Sequence, residues 1–367
     1  MMEKPMRQNR NMGIDLLRMV SMMLVIIAHV MGAGGILGEV SLFSAKYEVC
    51  WTLEMIAMCS VNCYALISGY VGYRSKVRYA NLAVLWLGVV FYTVLLTILF
   101  AILIPGSVTI FTIAQALLPA VSGQYWYFSA YFFLFFLTPL LNVAIAQLEE
   151  KTFRYAVIGM LFAFSFLQVI FYKQPTGTSG GYSCIWLLIM YLVGGYFGRF
   201  GVLDKIGKKK ALLGFAAAIV LSVFLKNLFE YTDGKIGIGS GYSAIVGTHI
   251  SPTIIFGAIM LVSFFVKCKF SQGVERLIRI FSPAAFSVYI IHANPLVWDH
   301  LLKGNMAWAA ALPAPVLGGV IVLTAIGIYV VCSLIDLVRI RLFAVLRIRD
   351  RLTALEDRIL RGKQNEM

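Results

Sequence analysis

The chain is a succession of long apolar runs separated by short polar, basic or Gly/Pro-containing breaks. A bilayer core about 30 Å thick needs about 20 helical residues to cross it. Ten runs approach that length: residues about 13–33, 48–73, 80–104, 125–146, 154–172, 183–199, 211–229, 248–266, 282–302 and 310–335. The pattern predicts an all-α fold, a polytopic integral membrane bundle of about ten transmembrane helices. No internal repeat is visible, so residues 1–336 read as one transmembrane domain. Between Leu337 and Leu360 arginine alternates with Leu, Ile, Val and Phe. Residues 337–367 therefore read as a basic amphipathic cytoplasmic tail, or as an extension of the last span with a solvated face. Ser107–Ala120 carries no charge and is expected to lie on the membrane interface or dip into it. The glycine-rich stretch Gly234–Gly241 is expected to be a flexible outer loop without a phosphate-binding signature.

Composition agrees with the pattern. Hydrophobic residues make up 60% of the chain and charged ones 13%, about half the charge fraction of a soluble domain. Mean hydropathy is +0.85. The net charge of +14 changes the picture only through its distribution. With ten crossings and both termini inside, one side holds Lys4, Arg7, Arg10, Arg74, Lys76, Arg78, Arg199, Lys205, Lys208–Lys210, Lys267, Lys269, Arg276 and Arg279, together with the arginines of the tail. The other side holds only Lys46, Lys173, Lys235 and Lys303. This is the positive-inside bias. The charge thus reports topology and contact with anionic membrane lipids, and no nucleic-acid partner is expected. Arg18 interrupts the first run and nine more follow it, so a cleaved signal peptide is not expected. The six cysteines lie mostly at membrane depth or on the basic side, where disulfides are not expected. Cys59 and Cys63 share a helical face without a His or acid to complete a metal set.

The candidate chemistry starts inside the first run, IDLLRMVSMMLVIIAHVM, with Arg18 and His29. Eleven residues is about three helical turns plus 20°, so both side chains share one face about 16 Å apart along the axis. Ionisable groups at membrane depth mark functional sites. His29 is suited to act as a general base. Arg18 either binds a phosphate or carbonyl of a substrate or pairs with Asp15, three residues earlier on the same face. Glu54 lies at a similar depth in the second run. It either orients the His29 imidazole or bonds a neighbouring helix. Arg74 and Arg78 flank the first basic turn, as phosphate ligands or as topology determinants. Tyr125, Trp126 and Tyr127 open the fourth run, as an interfacial belt or as sugar-stacking rings. His292, with Ser287 and Tyr289, either lines the same cavity or bonds a neighbour.

The Arg-x10-His spacing resembles the hallmark of the membrane-bound acyltransferase 3 family. Three further stretches are similar to segments of that family: SVNCYALISGYVGYR (Ser60–Arg74), GQYWYFSAYFFLFFLTPLLN (Gly123–Asn142) and FSVYIIHANP (Phe286–Pro295). Two details depart from the usual pattern: Arg74-Ser-Lys-Val-Arg78 in place of a tighter Arg-x-x-Arg, and Gln124-Tyr125-Trp126-Tyr127 in place of His-Leu-Trp-Phe. The resemblance implies an O-acyltransferase of the bacterial cytoplasmic membrane. Its donor would be cytoplasmic acyl-CoA, with acetyl-CoA as a substrate rather than a resident cofactor. Its acceptor would be a hydroxyl of a cell-surface carbohydrate or lipid-linked glycan. It implies an essential catalytic role for His29, by deprotonating the acceptor or by carrying the acyl group. It further implies donor contacts at Arg18, Arg74 and Arg78, and acceptor or cavity contacts at Tyr125, Trp126 and His292. A homo-oligomer is compatible with this reading. The alternative is a transporter or flippase of an envelope precursor, because polar stripes also serve a pathway.

Overall fold

The computed structural model describes residues 10–236 and 241–365. Lys4, Arg7 and residues 237–240 of the glycine-rich Gly234–Gly241 stretch lie outside the described residues. The described residues form helices and connecting turns, with no strand among them. The helices are α1 (Met12–Gly32), α2 (Ala45–Gly72), α3 (Tyr79–Leu103), α4 (Trp126–Gln147), α5 (Glu150–Ile170), α6 (Cys184–Phe200), α7 (Lys208–Ile236), α8 (Pro252–Val266), α9 (Gln272–His292), α10 (Ala314–Val345) and α11 (Ile348–Asn365). Helices α1, α2, α3, α4, α5, α7 and α10 are long and apolar enough to cross a membrane. Helices α6 and α8 are shorter and apolar. Helix α9 continues, after a 62° bend, into Pro295–Leu302. Each of the ten apolar runs thus coincides with a helix or a bent pair.

Two runs end differently from the sequence reading. The ninth is broken because Pro295 cannot continue the helix, and Asn294 caps the new segment by accepting from Leu296 N at 3.0 Å. The tenth extends ten residues beyond its expected end, so residues 337–345 belong to α10. The tail helix proper, α11, starts at Ile348 and folds back onto α3. The uncharged connection forms a short helix, Ile110–Leu117, with a capping box between Thr109 and Thr112. Ile110 and Phe111 on it are exposed, as expected for a segment lying on an apolar–water interface.

Helices α1 and α2 form the centre, with α6, α8, α9 and α10 packed around them. Helix α6 meets α2 at backbone contact. A Cβ on Gly69 would sit 1.9 Å from the Tyr191 carbonyl oxygen, and one on Gly194 would sit 2.1 Å from that of Leu66. Small residues permit such approach between membrane helices. Replacing Gly194 with Leu should therefore separate α2 from α6 and lower the midpoint of thermal unfolding in detergent by several degrees. A size-exclusion profile and melting curve equal to those of the unsubstituted protein would refute this contact. Arg199 closes the end of α4 by donating to the Ile145 and Leu148 carbonyls, the latter at 2.6 Å. Its charge thus caps a helix C-terminus. All six thiols are unpaired. Those of Cys59 and Cys63 face the Ile254 and Ala258 carbonyls of α8, at 3.5 and 3.8 Å.

Candidate active site

Helix α1 is unbroken from Met12 to Gly32, so the stripe Arg18–Met22–Val25–His29 runs along one face. Near its His29 end lies a cavity of about 80 Å³ at the seam between the two apolar clusters of the bundle. His29 and Met22 of α1, Met58 and Tyr64 of α2, Trp126 and Tyr127 of α4, Tyr182, His249 and Tyr289 line it. Near the Arg18 end lie two larger hollows, of about 400 and 220 Å³, that share Arg18 and Val71. Arg10 and Arg74 line the first, and Lys76 and Arg78 line the second. This is the basic end of the bundle.

Hydrogen bonds fix the protonation pattern at His29. The Nδ1 of His292 lies 2.6 Å from the Val288 carbonyl, which can only accept, so His292 Nδ1 carries the proton. The Nε2 of neutral His292 is then an acceptor. It lies 3.0 Å from Nδ1 of His29, which therefore donates. The proton of His29 is thereby held on Nδ1, and Nε2 keeps its lone pair. Among the described residues no group hydrogen-bonds to that Nε2. Trp298 packs edge-on against the His29 ring, 4.8 Å between centroids.

The predicted site residues separate into three groups. His29, His292 and Trp126 come together at or beside the cavity. Arg18, Arg74 and Arg78 gather at the hollows of the basic end. Arg18 also pairs with Asp15, Nη1 to Oδ1 at 2.8 Å, so the two readings of Arg18 coexist. The buried Asp15 carboxylate is shared with Arg10. Arg78 lies 3.7 Å from Asp357 of α11.

The remaining two expectations need correction. Tyr125 does not line the cavity. It is 1% exposed and braces the α9 break: its hydroxyl donates to the Ile290 carbonyl at 3.0 Å and accepts from Asn294 Nδ2 at 2.8 Å. Glu54 is not the hydrogen-bond partner of His29; His292 is. Glu54 is buried, and its Oε2 has no hydrogen-bond partner among the described residues. Two side chains at similar depth on adjacent helices need not face each other, and here a third helix supplies the partner.

His249 was not singled out by the sequence. It is 3% exposed and every polar group but one is committed. Its amide donates to the Gly180 carbonyl at 3.1 Å and its carbonyl accepts from Asn62 Nδ2 at 2.8 Å. Its Nδ1 donates to the Met58 carbonyl at 2.8 Å. Trp186 Nε1 in turn holds Asn62. The close approach of the preceding loop needs Gly181 at φ +100°, since a Cβ there would lie 2.4 Å from that of His249. His249 Nε2 is thus a fixed acceptor on a cavity-lining ring, flanked by Tyr182 and Trp126. The only sequence signal was a histidine just before the Ser251–Pro252 helix start.

Three tyrosines stand between the cavity and the basic hollows. Tyr64 donates to the Arg18 carbonyl at 2.6 Å while lining the cavity. Tyr127 lines the cavity and Tyr131 the neighbouring hollow, their rings stacked 6.5 Å apart. Among the described residues no cluster of His, Cys, Asp and Glu is arranged to hold a metal.

An apolar helical bundle with a bare imidazole nitrogen in an internal cavity and arginine-lined hollows at one end defines a class: a multi-pass membrane protein with an internal polar site. Residues 11–333 match the sequence model of one protein family, described as "Acyltransferase domain". The chain belongs to this family, and is a multi-pass membrane acyltransferase. Neither a curated protein nor a solved structure matches it.

Proposed function

We propose that the protein moves a small acyl group, acetyl, from acyl-CoA to a hydroxyl of a carbohydrate or lipid-linked glycan. The observation that carries this reading is the free Nε2 of His29 in a small cavity on the same helical stripe as Arg18. The acceptor hydroxyl gives its proton to His29 Nε2 as its oxygen attacks the thioester carbonyl. The C–S bond breaks, the leaving sulfur takes the proton from Nε2, and an ester and free CoA result. His292 holds the His29 tautomer that makes this possible, as the third member of a catalytic triad does.

Charge and volume support the substrates. Guanidinium groups are the residues of choice for phosphate, and Arg10, Arg18, Arg74 and Arg78 converge on the basic hollows. The donor's phosphates belong there, and its flexible arm reaches past Tyr64, Tyr127 and Tyr131. A buried water needs about 10–15 Å³. The cavity of about 80 Å³ thus has room for several waters, or for a small acyl group such as acetyl. Trp126, Tyr127 and Tyr182 present rings to an acceptor sugar. His249 Nε2 offers an acceptor to another of its hydroxyls. The positive-inside bias supports a cytoplasmic position for the basic end, both termini and the donor, with α6, α8 and the bent α9 pair as the further crossings of a ten-span arrangement. A bacterial cytoplasmic membrane fits this arrangement.

Free CoA release separates this reading from the transporter alternative. Purified protein given acetyl-CoA and an envelope glycan extract should liberate CoA in step with ester formed, whereas a flippase liberates none. Arg74 is exposed and makes no ion pair among the described residues. Arg74→Ala should raise the donor KM about tenfold with kcat unchanged, and the difference should shrink in high salt. An unchanged KM would remove Arg74 from the donor site.

A further inference from the structure

A third hollow, of about 320 Å³, opens on the flank of the basic end between α3, α9, α10 and α11. It adjoins the second of the basic hollows, with which it shares Asn81. Arg339 is 12% exposed along its side chain. Its Nε and Nη2 donate to both oxygens of the fully buried Asp336, at 2.6 and 3.0 Å. Tyr92 donates to the same carboxylate at 2.8 Å. This fork leaves Nη1 without a hydrogen-bond partner among the described residues. A Cβ added to Gly88 would lie 3.6 Å from Nη1, and the guanidinium lies over the Phe343 ring, 5.0 Å from its centroid.

A second guanidinium comes from the tail. Arg347 adopts φ +49°, a left-handed elbow that a non-glycine residue rarely takes, and α11 turns back onto α3. Arg349 then reaches Asn81, Nη2 to Oδ1 at 3.1 Å, and lines the hollow opposite Arg339. The acids of α11 near α3 are engaged elsewhere. Glu356 accepts from the Tyr79 amide at 2.9 Å and Asp357 pairs with Arg78. Arg349 itself makes no ion pair among the described residues. The apolar lining of the hollow includes the part-buried Val84 and Leu85.

We propose that this hollow is a binding site for an anionic phospholipid. The phosphate lies between Arg349 and the free Nη1 of Arg339, with Ser287 lining the same hollow, and the acyl chains run along Val84 and Leu85. A soluble anion would use the two guanidinium groups and leave the apolar wall wet. A neutral lipid would leave the guanidinium groups unpaired. Only an amphiphile with an anionic head covers both, and the inner leaflet supplies it.

The test uses full-length protein in non-ionic detergent, with bound lipid counted by native mass spectrometry. Phosphatidylglycerol should be retained at one molecule per chain, at least tenfold over phosphatidylcholine, and millimolar inorganic phosphate should not displace it. Arg349→Ala, at an exposed position, should lose about tenfold of that retention. Gly88→Leu, which narrows the floor of the hollow and keeps both arginines, should lose it as well. Arg339→Ala is avoided, because it strands the buried Asp336. Equal retention of the two lipids, displacement by phosphate, or wild-type retention by both variants would each overturn the proposal.

Discussion

His29→Ala will abolish acyl transfer while leaving the protein folded and inserted. The imidazole lines the cavity, so its loss removes the chemistry together with its contacts to His292 and Trp298. A positioned general base is worth about 10²- to 10⁴-fold, and no other group in the cavity has a lone pair held toward the same point of α1. His249 Nε2 is fixed to a different wall by its bond to the Met58 carbonyl. Single-turnover transfer from radiolabelled acetyl-CoA reads the effect. Activity above a tenth of the wild-type value would assign the base elsewhere.

The second large effect is at His292, which touches no substrate. Its ring accepts the proton of His29 Nδ1 at 3.0 Å because its own proton is committed to Val288 at 2.6 Å. Without it, His29 is free to move its proton to Nε2 and lose the lone pair. His292→Ala should lower kcat about 10- to 100-fold, the scale of outer partners that fix a histidine's tautomer, with the donor KM unchanged. His292→Gln should recover most of the rate, since its Oε1 accepts the same proton. A merely structural role would show equal losses in both variants together with a lowered melting temperature.

Much of this architecture was legible in the sequence. Membrane helices obey one strong constraint, the length of an apolar run, so all ten runs emerged as helical segments. The 3.6-residue period likewise placed Arg18 and His29 on one face before any contact was known. What failed was contact between helices. Glu54 was paired with His29 on depth alone, but depth does not say which way a helix is turned. The partner came from α9, 263 positions away. Tyr125, Trp126 and Tyr127 are neighbours in sequence, yet Tyr125 is the extended residue just before α4 and bonds α9, while Trp126 and Tyr127 in the first turn line the cavity. His249 was passed over because it precedes a helix, where sequence periodicity gives no face at all. The ninth run, 282–302, was expected to be one unbroken span although Asn294–Pro295 lies inside it, so the bend just beyond His292 was not foreseen.

The sidedness of the reaction tests the central claim most directly. Protein reconstituted into vesicles in one known orientation should cleave acetyl-CoA supplied to the face bearing Arg10, Arg18 and Arg74. It should release CoA on that face, and acetyl ester should form on glycan supplied to the other. Cleavage only from the opposite face, or none from either, would contradict transfer through the His29 cavity.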